Sequence, residues 1–205
     1  MSGLQKDYDG KITLLNRLAD KYPNSPYAVS ALYEKGRSYV QGRNNSQAIA
    51  TFRELLNKYP ESPVSRKAAA EIGLLYYQND DYNRAIEAYK YVITQYPGSE
   101  EARLAMRDLK SIYVEANRVD EFAALAAQMP GAIRFEPNEQ DSLTYIAAEK
   151  VYMKGEIIPA RESFTRYLQS YPNGAFSLNA HYYLSLIGKE QKDETGVLEL
   201  SLIHI

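Results

Sequence analysis

Four short stretches of this chain are near copies of one another. Lys21-Tyr22-Pro23-Asn24-Ser25-Pro26, Lys58-Tyr59-Pro60-Glu61-Ser62-Pro63, Gln95-Tyr96-Pro97-Gly98-Ser99-Glu100 and Ser170-Tyr171-Pro172-Asn173-Gly174-Ala175 share a Tyr-Pro core. The first three tyrosines are 37 residues apart, and the last gap is 75, which is two periods with one residue over. One copy in the middle has therefore lost its signature. Self-similarity at this period marks a solenoid array, in which each repeat is one supersecondary unit that buries its apolar face only against its neighbours.

The motif stops one helix and starts the next. The residue before a proline is pushed out of the α region, and proline has no N–H to donate, so a helix ends at Tyr-Pro. Ser25-Pro26 and Ser62-Pro63 then restart it, with serine as N-cap and proline at the first helical position. Between the motifs, apolar residues recur at helical spacing. Ile12, Leu14, Leu15 and Leu18 belong to a half-unit over 4–23. In the next unit, 26–60, a helix over 27–41 carries Ala31, Leu32, Gly36 and Tyr39. It breaks at Gly42 to Ser46, and a partner from Gln47 to Tyr59 carries Ala48, Ile49, Phe52, Leu55 and Leu56. The unit over 63–97 repeats this with Gly73 and Tyr76, a turn at Asn79-Asp80-Asp81, and Ala85, Ile86, Tyr89 and Val92. Gly36 to Tyr39 and Gly73 to Tyr76 are both three residues; Tyr39 to Ala48 and Tyr76 to Ala85 are both nine.

Those positions, Gly36, Tyr39, Ala48, Phe52 and Pro60, then Gly73, Tyr76, Ala85, Tyr89 and Pro97, resemble the signature of tetratricopeptide repeats. The resemblance implies an all-α chain, with antiparallel helix pairs stacked into a right-handed superhelix over essentially residues 4–199. The small residues would let paired helices approach, and the aromatics would fill the space between pairs. The extra length lies in the first helix of each unit, which should be longer by nearly a turn. Repeats with Tyr-Pro-x-Ser endings are similar to those of cell-envelope proteins: the outer-membrane-protein assembly lipoprotein, the periplasmic coordinator of the Tol-Pal system, and large repeat proteins of Bacteroidetes.

The unit over 100–130 departs from the pattern. A helix over 101–116 is followed by a turn at Asn117 to Asp120, and Phe122 stands where the small alanine belongs. Its second helix, Glu121 to Gln128, ends at Met129-Pro130-Gly131, and 131–141 reads as a longer connection. Regularity returns over 141–172, where Val151 to Ala160 is again nine and Pro159 sits beside the expected start of the second helix. A last first helix over 175–190 should be followed by a partner beginning near Glu194, within a partial unit 175–199. Leu200-Ser201-Leu202-Ile203-His204-Ile205 is similar to the translation of a transposon-end sequencing adapter. Residues 200–205 are therefore expected to be a non-native tail on a cut gene fragment; an intact gene with this hexapeptide followed by a stop codon would overturn that reading.

The chemistry excluded is as informative. With 24 basic and 26 acidic residues the formal net charge is −2, without long runs of either sign, so nucleic acid and anionic membrane have no electrostatic support as partners. No cysteines are present, which rules out disulfides and thiolate metal sites within these residues. No apolar run approaches a bilayer-spanning length. Phosphate-loop, metalloprotease and nucleophile-elbow patterns are absent. Of the two histidines, His204 lies in the suspect tail, and His181 is expected at the interior or its edge. One imidazole cannot build a metal or triad site. Glu100-Glu101 and Asp80-Asp81 fit helix starts, where acids favour the positive end of the dipole. The chain is expected not to be an enzyme and to bind no cofactor or metal.

In tetratricopeptide arrays the first helices line the concave face. The resemblance places there Ser30, Tyr33, Arg37, Val40 and Gln41; Lys67, Ala70, Leu74, Tyr77 and Gln78; Leu104, Arg107, Ser111 and Glu115; Ser142, Tyr145, Glu149, Tyr152 and Met153; Asn179, Tyr182 and Leu186. Tyrosine and arginine carry much of the energy at protein interfaces. The candidates for contact with a partner are Tyr33, Arg37, Lys67, Tyr77, Arg107, Tyr145, Glu149, Tyr152 and Tyr182. The expected function is a non-catalytic scaffold that binds a peptide or partner protein on this face, in the periplasm or cell envelope. The alternatives are a spacer or self-associating array, an accessory module of a larger enzyme, or tyrosine-rich helices whose edges simply pack together.

Overall fold

The computed structural model describes the backbone of residues 3–203 except 130 and 132, and the side chains of 8–190 except 130, 132 and 137. Ten helices follow one another in the described residues: α1 (Gly3–Lys21), α2 (Pro26–Gln41), α3 (Asn45–Lys58), α4 (Pro63–Gln78), α5 (Tyr82–Gln95), α6 (Glu100–Glu115), α7 (Val119–Gln128), α8 (Pro137–Met153), α9 (Ile157–Ser170) and α10 (Ser177–Ile203). The chain is all-α and built from tetratricopeptide-type pairs, with short turns that return each second helix antiparallel onto its first. The first helices α2, α4 and α6 each have 16 residues, and the second helices α3, α5 and α9 each have 14. The chain divides into two compact units, Met1–Leu109 and Lys110–Ile205.

The restart device works locally as its residues dictate. The Ser25 hydroxyl accepts from the Tyr27 N–H at 3.2 Å and the Ser62 hydroxyl from the Val64 N–H at 3.2 Å, with Pro26 and Pro63 opening their helices. Ser99 caps α6 in the same way, accepting from the Ala102 N–H at 3.0 Å. The motif has a second job that its local chemistry does not announce. The Tyr59 hydroxyl donates to the Pro23 carbonyl at 2.6 Å, and the Tyr96 hydroxyl to the Pro60 carbonyl at 3.4 Å. The second and third Tyr-Pro motifs are thereby each bonded to the Tyr-Pro one repeat earlier.

Unit 1 is filled from both helix types. Phe52, Leu55, Leu75, Tyr89 and Val92 are fully buried, on a layer of small residues that includes Ala28, Ala48, Ala68 and Ala85. Gly36 lies against the Phe52 ring and Gly73 against the Tyr89 ring, so each glycine receives the aromatic one turn beyond the paired alanine. The turns also repeat: Arg43, Asp80 and Asn117 all have φ near +55°, and Gly155 takes φ of +79° at the matching place in the later unit. Asp81, next to one of these, caps α5 by accepting from the Arg84 N–H at 3.2 Å. Asp80 itself holds the left-handed turn position rather than capping.

Unit 2 has its own core of Ala148, Val151, Ala160, Phe164, Tyr167, Ala180 and Ile187, with a smaller cluster of Val114, Val119 and Ala147 beside Phe135, Leu143 and Ile146. The divergent unit resolves here. Phe122 is 1 % exposed, its ring 5.5 Å from Tyr113 and 4.9 Å edge-on from Phe135. Phe135, from the connection, fills the space that a bulky residue in place of alanine opens.

Three boundaries differ from the expectation. The 131–141 connection is shorter, because Pro137 opens α8 at the position Pro26 and Pro63 occupy in theirs. Helix α9 starts at Ile157, so Pro159 falls inside its first turn, where no N–H is required of it. No break separates a second helix near Glu194: α10 continues to Ile203, since Lys189 to Thr195 contains neither proline nor a turn pair. His204 and Ile205 lie outside the described residues. His181 is exposed rather than interior.

Buried, hydrogen-bonded tyrosines should make the fold alkali-sensitive. Burial, and then the hydrogen bond with the Tyr91 phenol, pushes Tyr96 up to about 12. Burial, and then the Asp141 carboxylate, does the same to Tyr167, also to about 12. An unfolded tyrosine loses its proton near pH ~10. Between these values the folded chain holds more protons than the unfolded one, so stability present below pH ~10 is lost as pH rises toward ~12. Urea titrations at stepped pH should therefore show a level midpoint up to pH ~9 and a steady fall above pH ~10. A midpoint unchanged to pH ~12 would contradict these environments.

Candidate functional site

The first-helix candidates of unit 1 lie on α2, α4 and α6. Tyr33 is half-buried, its ring 5.7 Å from Phe52. Its hydroxyl reaches the Glu71 carboxylate on α4 at 3.5 Å. Burial first, and then the Glu71 charge, raises its pKa, against an opposing hydrogen bond with Arg37. Tyr33, Arg37 and Glu71 thus join α2 to α4 at the surface. Arg37 and Lys67 are exposed, and Tyr77 is half-buried with its ring 6.1 Å from Tyr82. Arg107 on α6 is exposed, with Nε and Nη2 each 3.2 Å from an Asp108 carboxylate oxygen. These helices thus carry partly covered tyrosine rings beside exposed cationic side chains.

The remaining candidates cluster in unit 2, on α8 and α10. Tyr145 is a core side chain: it is 5 % exposed and stacked on Phe176 with centroids 4.6 Å apart. It stands 19 residues before Phe164, as Tyr33 stands before Phe52, but the Phe176 ring covers it, where nothing comparable among the described residues covers the half-buried Tyr33. Glu149 is half-buried and accepts from the hydroxyls of both Tyr145 and Tyr183 at 3.0 Å. Burial first, and then Glu149, raises the pKa of both phenols. Tyr152 donates to Glu190 at 3.1 Å, and its ring lies 5.0 Å from Tyr183. Tyr182 is 61 % exposed, with its ring 6.0 Å from Tyr183. Of this group Tyr182 and the neighbouring Met153 are exposed, Tyr152 is half-buried, and Tyr145 lies in the core.

The first-helix projection missed a concavity on the other side of α4. A groove of about 580 Å³ lies between α3 and α5 in unit 1, continued by a second hollow of about 430 Å³ that shares Arg53, Tyr76 and Arg84 with it. The only sequence signal was a pair of arginines on second helices, flanking a tyrosine whose spacing read as packing. Among the described residues no group of three or more His, Asp or Glu side chains is placed to hold a metal ion, and no helix is long and apolar enough to cross a membrane.

The model of the outer membrane lipoprotein family YfiO matches residues 28–190, and a tetratricopeptide repeat model matches residues 2–25. No curated protein sequence matches the chain. Among solved structures, a tetratricopeptide repeat protein from Parabacteroides merdae is 12 % identical, with 97 % of this chain and 73 % of that chain covered and a TM-score of 0.49. BtubC from P. vanneervenii is 14 % identical, with 94 % and 86 % covered and a TM-score of 0.48.

Proposed function

The chain belongs to the YfiO outer membrane lipoprotein family, and on that premise we propose that it is a scaffold of cell-envelope assembly that holds a partner protein or peptide on its first-helix face in the periplasm. Families of this kind are generally non-catalytic repeat scaffolds. The observation that supports the finer reading is the pairing of half-buried Tyr33 and Tyr77 with exposed Arg37, Lys67 and Arg107 on the first helices of unit 1. Tyrosine and arginine already ordered by neighbours lose little side-chain freedom on binding, so their contacts translate efficiently into affinity. Tyr152, Tyr182 and Met153 offer two tyrosine rings and a thioether at the surface of unit 2.

Replacing Tyr33, Arg37, Tyr77 and Arg107 together by alanine should abolish cross-linking to the partner in envelope fractions. Helical circular dichroism should stay the same, and the melting temperature should move by no more than a few degrees. A parallel collapse of melting and cross-linking would mean that these side chains pack the array and do not contact a partner.

A further inference from the structure

We propose that the groove between α3 and α5 is a second docking site, separate from the first-helix face, and that it takes an acidic amphipathic helical segment of a partner protein. Its walls come from α3 and α5 and its floor from α4. Both wall helices run antiparallel to α4, so they lie alongside each other as a trough. From Asn45 to Asn57 the α3 wall is about 18 Å long at a rise of ~1.5 Å per residue, room for roughly three turns of a docked helix. The floor and walls at one end are apolar, with Leu56, Ala69, Ile72, Ala88 and Tyr91, and would seat residues spaced i, i+3 or i+4, and i+7.

Charge selects the occupant. Tyr76 lies at the junction of the two hollows and fixes two guanidiniums. Arg53 Nη2 donates to its hydroxyl at 3.1 Å, and the Arg84 guanidinium lies 5.7 Å from its ring centroid. Arg53 thus spends a donor on a neutral phenol, and a carboxylate arriving from a partner would gain the stronger charge-assisted bond. Arg84 faces Asp81 at 3.4 Å across an exposed pair, which solvent keeps weak. The one acidic side chain on the wall, Glu87, is bonded to Lys90 at 3.0 Å. A partner helix with a carboxylate flanking its apolar stripe meets two preset guanidiniums and an apolar floor; a basic one meets like charge.

The test uses the full chain and a fluorescein-labelled synthetic amphipathic peptide of about four turns, with leucines on one face and glutamates flanking them. Fluorescence polarisation should show saturable binding, at least ~10-fold tighter than for the same peptide with lysine in place of glutamate, and weakening with salt. Arg53→Gln and Arg84→Gln should each weaken it roughly 10-fold, and Arg53→Glu with Arg84→Glu should turn the preference toward the lysine peptide. Asn57→Glu adds a carboxylate to the wall without touching Tyr76 and should weaken the acidic peptide similarly, so a destabilised Arg84 variant does not decide the matter. Tyr33→Ala with Arg37→Ala should leave this binding unchanged. Equal binding of the two peptides, or acidic preference surviving both arginine replacements and Asn57→Glu, overturns the proposal. So does loss of binding in the Tyr33 and Arg37 variant alone, or self-association that the arginine replacements abolish, which would make a second copy the occupant.

Discussion

Gly36→Ala should destabilise unit 1 by up to about 2 kcal/mol even though alanine is the better helix former. An added Cβ would stand 2.7–2.8 Å from Cδ1 and Cζ of Phe52, and closer still to Cε1. Phe52 is fully buried, so its ring has nowhere to retreat, and α2 must move away from α3 instead. Overpacking of this kind costs ~1–3 kcal/mol, against a propensity gain of ~1 kcal/mol. Gly73→Ala should behave likewise, with Tyr89 ring atoms at 2.6, 2.7 and 3.0 Å. Gly10 is the internal control: nothing lies within 4 Å of its absent Cβ, so Gly10→Ala should stabilise by up to ~1 kcal/mol. Urea denaturation of the three variants checks the contrast, and Phe52→Leu should recover much of the Gly36→Ala loss as a coupling energy. Gly36→Ala matching or exceeding the parent chain would mean that the ring yields and the close approach is not what the glycine is for. Unit 2 shows that the approach is a choice of spacing: the residue 16 before Phe164 is Ala148, buried in the same core cluster.

Which parts of this architecture could be read from residues depends on how local their causes are. Where Tyr-Pro or Ser-Pro stands, the helix boundary follows from it directly: α1, α3, α5 and α9 end on the residue before the tyrosine, and α2 and α4 open at the proline. The bonds from Tyr59 to Pro23 and from Tyr96 to Pro60 cross a whole repeat, and nothing in the local sequence distinguishes a tyrosine that makes them from one that does not. Periodicity supplies the pair Gly36 and Phe52, while their contact sets how closely α2 approaches α3. The surface was harder. Exposure of Arg37, Lys67, Arg107 and Tyr182 follows from helical phase. Tyr145 defeats that reading because Phe176, from a loop 31 residues on, stacks over it. The α3–α5 groove was invisible for a related reason: its walls come from helices in successive repeats, and its charge is organised by a tyrosine otherwise committed to packing.

The fourth Tyr-Pro motif lacks the serine cap, and Asp141 supplies what is missing. Its carboxylate accepts from the Tyr167 hydroxyl at 2.5 Å and from the Ala175 N–H at 2.8 Å, while the Tyr167 oxygen accepts from the Phe176 N–H at 3.1 Å. A side chain of α8 and one of α9 therefore cap the approach to α10, where serine and proline do so locally in unit 1. The same geometry explains the glycine. A Cβ at Gly174 would meet Tyr167 Oη at 2.7 Å, Asp141 Oδ1 at 2.8 Å and Tyr171 Cβ at 2.8 Å. Asp141→Ala should cost about 2–3 kcal/mol, because it removes two bonds to a charged acceptor and leaves the fully buried Tyr167 hydroxyl without its carboxylate. Asp141→Asn should lose part of this, since its amide can present an oxygen to one donor but turns an N–H toward the other. Once Asp141 is alanine, Tyr167→Phe should cost much less than it does alone, because both act through one network. Amide exchange localises the effect: Ala175 and Phe176 N–H should exchange faster in Asp141→Ala, while Tyr27 and Val64, capped by their own serines in unit 1, keep their protection. Uniform acceleration across both units, or additive costs for Asp141→Ala and Tyr167→Phe, would show that the α10 approach is held by packing and not by this carboxylate.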